Sequence, residues 1–324
     1  MDTTAAGTSE YDRFGPWIDE VRLPEDIPRL FRGHPVDLDA ARLVLKVPRN
    51  IARRDATADM DLYDHLLVLD DDGLTVLSRR TEHDHATRRA PGPGVFDVRD
   101  VPFEDVVAVR DVMNLLDGTL TLHTRTGSDL TVRYNGSGRS TMRTLVDELR
   151  ASASEGYPRP LAFALIESGA QHASATPDLG RVDASLLGDF QDVSRHLPGL
   201  TLWSGHGRRQ VALRGADPVK AIGHALSPAT LHGAVVAGDS FALEVFGRHE
   251  WLMRGKKPMH SASRLVIPLN APDRIDVAPH PDYLGVMVVT LSAGATRIEL
   301  VVPEGSGAHR LLSEAAAQVA GLGA

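Results

Sequence analysis

Two stretches of this 324-residue chain spell out the same series of signals, and that repetition limits its folds more than any other feature. In the first, His65–Leu69 and Leu74–Arg79 flank Asp70-Asp71-Asp72-Gly73, a turn signal between two apolar, β-prone runs. Strands are expected next over Val95–Val98 and Val106–Arg110, then over Thr119–Thr124 and Asp129–Tyr134 across Thr126-Gly127-Ser128. Leu120, Leu122, Leu130 and Val132 alternate with polar neighbours, the period of a half-buried sheet. Asn135-Gly136-Ser137-Gly138 ends the sheet. Met142, Leu145, Val146 and Leu149 then fall at i, i+3, i+4 and i+7, one apolar face of a helix.

The second series runs in the same order. Val235–Ala237 and Phe241–Phe246 flank Gly238-Asp239-Ser240, Arg264–Pro268 and Arg274–Val277 follow, and Val286–Leu291 and Arg297–Val302 meet across Ser292-Ala293-Gly294. Glu304-Gly305-Ser306-Gly307 then precedes a helix with Leu311, Leu312, Ala315, Ala316 and Val319 inward. The register between the two is nearly constant. Val101-Pro102 matches Ile267-Pro268 at an offset of 166, Gly118 and Gly127 match Gly285 and Gly294 at 167, and Gly136-Ser137-Gly138 matches Gly305-Ser306-Gly307 at 169. Turn glycines recur for steric reasons in any β protein, so it is the shared spacing that points to duplication.

Between the two series, Tyr157-Pro158-Arg159-Pro160 reads as a linker and Asp183 to Leu197 as an amphipathic helix. Leu200–Trp203 and Gln210–Arg214 are expected to form a hairpin over Gly205-His206-Gly207, followed by a helix opened by Asp217-Pro218. The resulting plan is an accessory segment over residues 1–60, a first β unit over 61–152, a middle segment over 153–230 that resembles a shortened third module, and a second unit over 231–324.

Antiparallel strands closed by one C-terminal amphipathic helix resemble the pleckstrin-homology-like (PH-like) fold, in particular the bacterial PH-like domains. The residues that carry the resemblance are Asp64–Arg80, Val95–Tyr134 and Ser140–Arg150, with Ala234–Phe246, Arg264–Val302 and Ala308–Ala320 as their counterparts. The resemblance implies a mainly β, α+β protein of two small antiparallel barrels, each plugged by its helix, with accessory helical segments. It also implies binding or scaffolding rather than catalysis. Many eukaryotic PH domains bind phosphoinositides through Lys and Arg beside the first hairpin loop. Asp70-Asp71-Asp72 would repel a polyphosphate there.

Composition narrows the role further. The formal charge is −8, and residues 1–150 hold 27 acidic against 20 basic side chains, so no broad positive field draws nucleic acid or anionic lipid. Aromatic residues make up 5%, with none interleaved among basic ones, which argues against stacking platforms for single strands. No apolar stretch approaches the roughly 20 residues of a membrane helix, and Met1 to Glu10 lacks the pattern of a signal peptide. Cysteine is absent, which suits a cytoplasmic location and removes thiolate chemistry.

Four groups of residues could carry chemistry. Gly238-Asp239-Ser240 looks like the opening block of a GDS-type serine esterase, with Ser240 as nucleophile, although strand character follows it and Asp276 with His280 has the wrong spacing for the remaining partners. His83-Asp84-His85 offers two imidazoles and a carboxylate, but no third ligand on the same face, so no metal site is assigned. Arg49, Arg53 and Arg54 could hold an anion or an acidic membrane surface, with Asp55, Asp59 and Asp61 nearby to pair them internally. Trp17 and Trp203 are expected to be packed and Trp251 to lie at an interface. No cofactor motif is present. The expectation is a cytoplasmic, non-enzymatic scaffold that binds a protein or peptide, with the Ser240 esterase and the arginine anion binder as alternatives.

Overall fold

Both hairpin signals fold as turns closed by an aspartate. In a computed structural model describing residues 10–80, 96–173, 177–215, 227–254 and 261–322, the Asp70 carboxylate accepts from the amides of Asp72 and Gly73, both at 2.9 Å. Asp239 accepts likewise from Phe241 at 2.8 Å and Ala242 at 3.0 Å. This side-chain mimic of a backbone turn is why aspartate serves in both places.

The chain divides into two units. The first comprises Met1–Phe103, Leu116–Gly118 and Val132–Glu148, and the second Glu104–Leu115, Thr119–Thr131 and Leu149–Ala324. In the first unit five antiparallel strands lie in chain order: β1 (Asp19–Glu20), β2 (Leu43–Pro48), β3 (Tyr63–Leu69), β4 (Gly73–Arg79) and β5 (Phe96–Pro102). Phe14, Val21, Phe31, Leu62, Leu66 and Leu77 pack together on them as the core. Phe31 also meets Phe96 edge-on at 5.4 Å, which ties β5 to the segment before β2.

The next strands are β6 (Val106–Asn114), β7 (Asp117–Thr124), β8 (Leu130–Asn135), β9 (Thr201–His206), β10 (Arg209–Gln210), β11 (Ala212–Leu213), β12 (Ala229–Leu231), β13 (Ala234–Gly238), β14 (Ala242–Gly247), β15 (Leu252–Arg254) and β16 (Ser261–Pro268). Last come β17 (Arg274–Pro279), β18 (Tyr283–Leu284), β19 (Val286–Ala293) and β20 (Thr296–Pro303). The second unit is built on a seven-stranded sheet of order β8-β7-β6-β16-β14-β13-β9 and a three-stranded sheet β17-β19-β20, with two small sheets, β10-β12-β15 and β11-β18. Its core joins Val107, Trp203, Leu243, Ile267, Leu291 and Leu311.

The two long helices expected from periodicity are present, over Arg139–Ala153 and Gly307–Leu322. Met142, Leu145, Val146 and Leu149 of the first are at most 1% exposed. Asn135 caps the turn before it by accepting from the Ser137 amide, and Ser306 caps the second helix by accepting from His309. The strand order repeats as well: β3-β4-β5, then β6-β7-β8, then a helix is matched by β13-β14-β16, then β17-β19-β20, then a helix.

Several expectations need correction. The fold is mainly β, 40% strand against 27% helix, but among the described residues no sheet closes into a barrel. Every strand order is linear, and β16 adds onto β6 instead of leaving each sheet to bend shut on itself. The expected hairpin over Gly205-His206-Gly207 does not form, because β9 pairs with β13, β10 with β12 and β11 with β18. Gly205 serves close approach rather than a turn, since a Cβ there would meet Pro177 at 2.6 Å. The supposed linker ends in a helix, Pro160–His172, with Pro160 in its first turn. Trp17 is half exposed, not packed. His83-Asp84-His85 and the helix opened by Asp217-Pro218 lie outside the described residues.

Candidate binding edge and buried charge clusters

The three arginines of the first unit do not converge on a ligand. Arg49 donates to the Asp61 carbonyl at 3.2 Å, and Arg53 donates to the carbonyls of Tyr11 and Phe14 while lying 4.2 Å over the Tyr11 ring. Arg54 is exposed, 3.8 Å from Asp55. Two of the three therefore fasten neighbouring backbone. Beside the first hairpin turn, Asp70, Asp72, Thr75, Asp100 and Pro102 line an open cleft of about 220 Å³. Of its carboxylates, Asp70 is engaged by the turn amides and Asp100 by the Thr75 hydroxyl, which donates to it at 2.7 Å.

In the second unit Ser240 is exposed at the tip of the β13–β14 turn, and no described imidazole hydrogen-bonds to it. Asp276 pairs with Arg274 at 2.7 Å, while His280 accepts from the Asp282 amide, so these two do not form a catalytic pair. The neighbouring Asp239 is occupied: besides closing its turn, it takes a guanidinium nitrogen of Arg150.

That contact belongs to a buried charge cluster. Glu244, in the middle of β14, has no solvent exposure. Arg150 donates to it at 2.7 Å through Nε, and Arg264 of β16 donates through Nε at 2.8 Å and through a terminal nitrogen at 3.2 Å. A carboxylate at such a site needs cations at hydrogen-bond distance to offset its lost hydration. The cluster is structural; every group in it is turned toward another part of the chain. One carboxylate inside Phe241-Ala242-Leu243-Glu244-Val245-Phe246 was the signal in the sequence that could have revealed it.

A second cluster surrounds Asp183, also without exposure. It accepts from Arg248 Nε at 3.0 Å and from the Gly233 amide at 3.0 Å, with Arg208 Nε at 3.4 Å. Arg208 in turn lies 2.8 Å from His232 Nδ1, which accepts only while the ring is neutral. Burial and the adjacent Arg208 hold the His232 pKa below the ordinary histidine value. His206 is 7% exposed, and burial pushes its pKa down to about 4. Among the described residues no group of three or more His, Asp or Glu side chains has the arrangement of a metal site, and no helix is long and apolar enough to cross a membrane.

The backbone supplies the remaining chemistry. β16 lies antiparallel on β6 from Ser261 opposite Asn114 to Val266 opposite Val109. β6 thus has a partner on its outer side, whereas β17, the matching first strand of the second three-strand run, ends its sheet. The His280 amide donates to the Val286 carbonyl at 2.8 Å, which sets the ladder phase so that the backbone groups of Ile275 and Val277 turn away from β19. Ile275 reaches the core, and Val277 packs half-buried against it. Comparison with known proteins finds no family model, no curated protein and no solved structure that matches this chain.

Proposed function

We propose that the chain is a non-enzymatic scaffold of two PH-like units that takes up an extended polypeptide segment along the outer edge of β17 by strand addition. The observation that carries this reading is the seating of β16 on β6: a strand of this chain already occupies the edge that corresponds to β17. Strand addition draws its affinity from main-chain hydrogen bonds, which an edge such as Ile275–Val277 can offer to many sequences. Pro279 ends the usable stretch, since it has no N–H to give.

The alternatives receive less support. Ser240 lacks a described base, and Arg49 and Arg53 are engaged with carbonyls of their own unit. The test is a displayed library of extended eight-residue peptides (about the length of a strand) selected against the full chain. Bound peptides should slow hydrogen exchange at the Ile275 and Val277 amides, and Val277→Pro should abolish binding. Peptides that bind with no protection at these amides would overturn the assignment of the edge.

A further inference from the structure

We infer that this chain associates head to tail with copies of itself, the outer edge of β5 in one copy adding antiparallel to the outer edge of β17 in the next. The inference rests on reading β17 as an acceptor edge, and it names the acceptor's partner. Within one chain the joint already exists once. β16, which follows the second hairpin and ends in Ile267-Pro268, sits on β6, the first strand of a three-strand run. β5 follows the first hairpin and ends in Val101-Pro102, and β17 opens the other three-strand run. These two are the unmatched halves of the same joint: among the described residues each pairs on one side only, β5 with β4 and β17 with β19.

The ladder phases agree. The Phe103 amide donates to the Asp72 carbonyl at 3.1 Å, continuing the β4–β5 register, so the backbone groups of Val98 and Asp100 point away from β4. Pro102 belongs to the same outward set, where its missing N–H costs the sheet no bond, and Pro279 holds the same place on β17. With Asp100 opposite Val277, these two residues exchange both backbone bonds. The Val98 amide then reaches the Pro279 carbonyl and the Ile275 amide reaches the Pro102 carbonyl, so the prolines mark the ends of the ladder. Val98, 40% exposed, is an apolar side chain on this edge. Because the two surfaces differ, the contact is heterologous and continues from copy to copy.

Sedimentation of the full chain over a wide concentration range tests this. The weight-average mass should climb above the 35.0 kDa of one chain, and Val98→Pro and Val277→Pro should each abolish the climb. An equimolar mixture of the two variants should form dimers and nothing larger, because one retains a working β17 and the other a working β5. If Val98→Pro fails to fold, Val98→Lys, a charge of the kind that blunts edge strands, replaces it. A wild-type mass that stays at one chain, or a mixture that stays monomeric, overturns the inference. In that event, library peptides that protect Ile275 and Val277 would leave the scaffold reading standing with a different partner.

Discussion

Replacing Arg150 with methionine removes one of the two cations that hold Glu244 while keeping an unbranched apolar stem in place of the arginine methylenes. Glu244 loses its 2.7 Å donor and Asp239 loses its ionic partner, while Arg264 keeps both of its contacts. Breaking a buried pair by deleting one partner costs about 3–5 kcal/mol. Since Arg264 still neutralises Glu244, the lower end applies, about 3 kcal/mol. Urea denaturation at pH 7 measures it: with a slope near 3 kcal/mol per molar, the midpoint falls by about 1 M. Glu244→Gln and the double variant complete a cycle in which the interaction energy should exceed about 1 kcal/mol. Additivity to within about 0.5 kcal/mol would refute the claim that the two side chains act as a pair.

Acid should weaken the fold through His206. Its folded pKa of about 4 lies below the ordinary 6.5, so the unfolded chain takes up a proton that the folded one refuses. The His206 contribution is therefore intact above pH 6.5, declines between 6.5 and 4, and is constant below that, a total of about 3 kcal/mol at 1.36 kcal/mol per unit. Denaturation midpoints across that range should show this slope, and His206→Gln should flatten it. Gly73→Ala sets a Cβ 2.4 Å from the Val101 carbonyl oxygen, and a thermal melt should register a loss of about 1–3 kcal/mol. Leu115, at the two-residue β6–β7 turn, has a φ of 58°, so Leu115→Gly should raise the melting temperature, relieving about 1 kcal/mol of left-handed strain.

Local chemistry was legible in the sequence. Alternation along Leu120, Leu122, Leu130 and Val132 placed β7 and β8, the i, i+3, i+4 spacing placed both long helices, and Asp70 and Gly238-Asp239-Ser240 placed both hairpin turns. β6 was expected to stop at Arg110 and runs on to Asn114, because Asp111 to Asn114 are held by their pairing with Arg264 to Ser261 rather than by their own propensity.

What the sequence determined by itself is therefore the longer alternating strands, the aspartate turns and the two long amphipathic helices, since each depends on residues within a few positions of one another. The short strands β1, β12, β15 and β18 and the helix Pro160–His172 carried no such local signal. Tertiary structure alone decided which edges meet. It put β9 against β13, laid β16 on β6 and left β5 and β17 ending their sheets. It also brought Arg150 to Glu244 across 94 residues of chain. Backbone donors and acceptors are the same at every residue, so the choice of strand partner rests on which long-range pairing can bury the apolar faces and still satisfy buried charges.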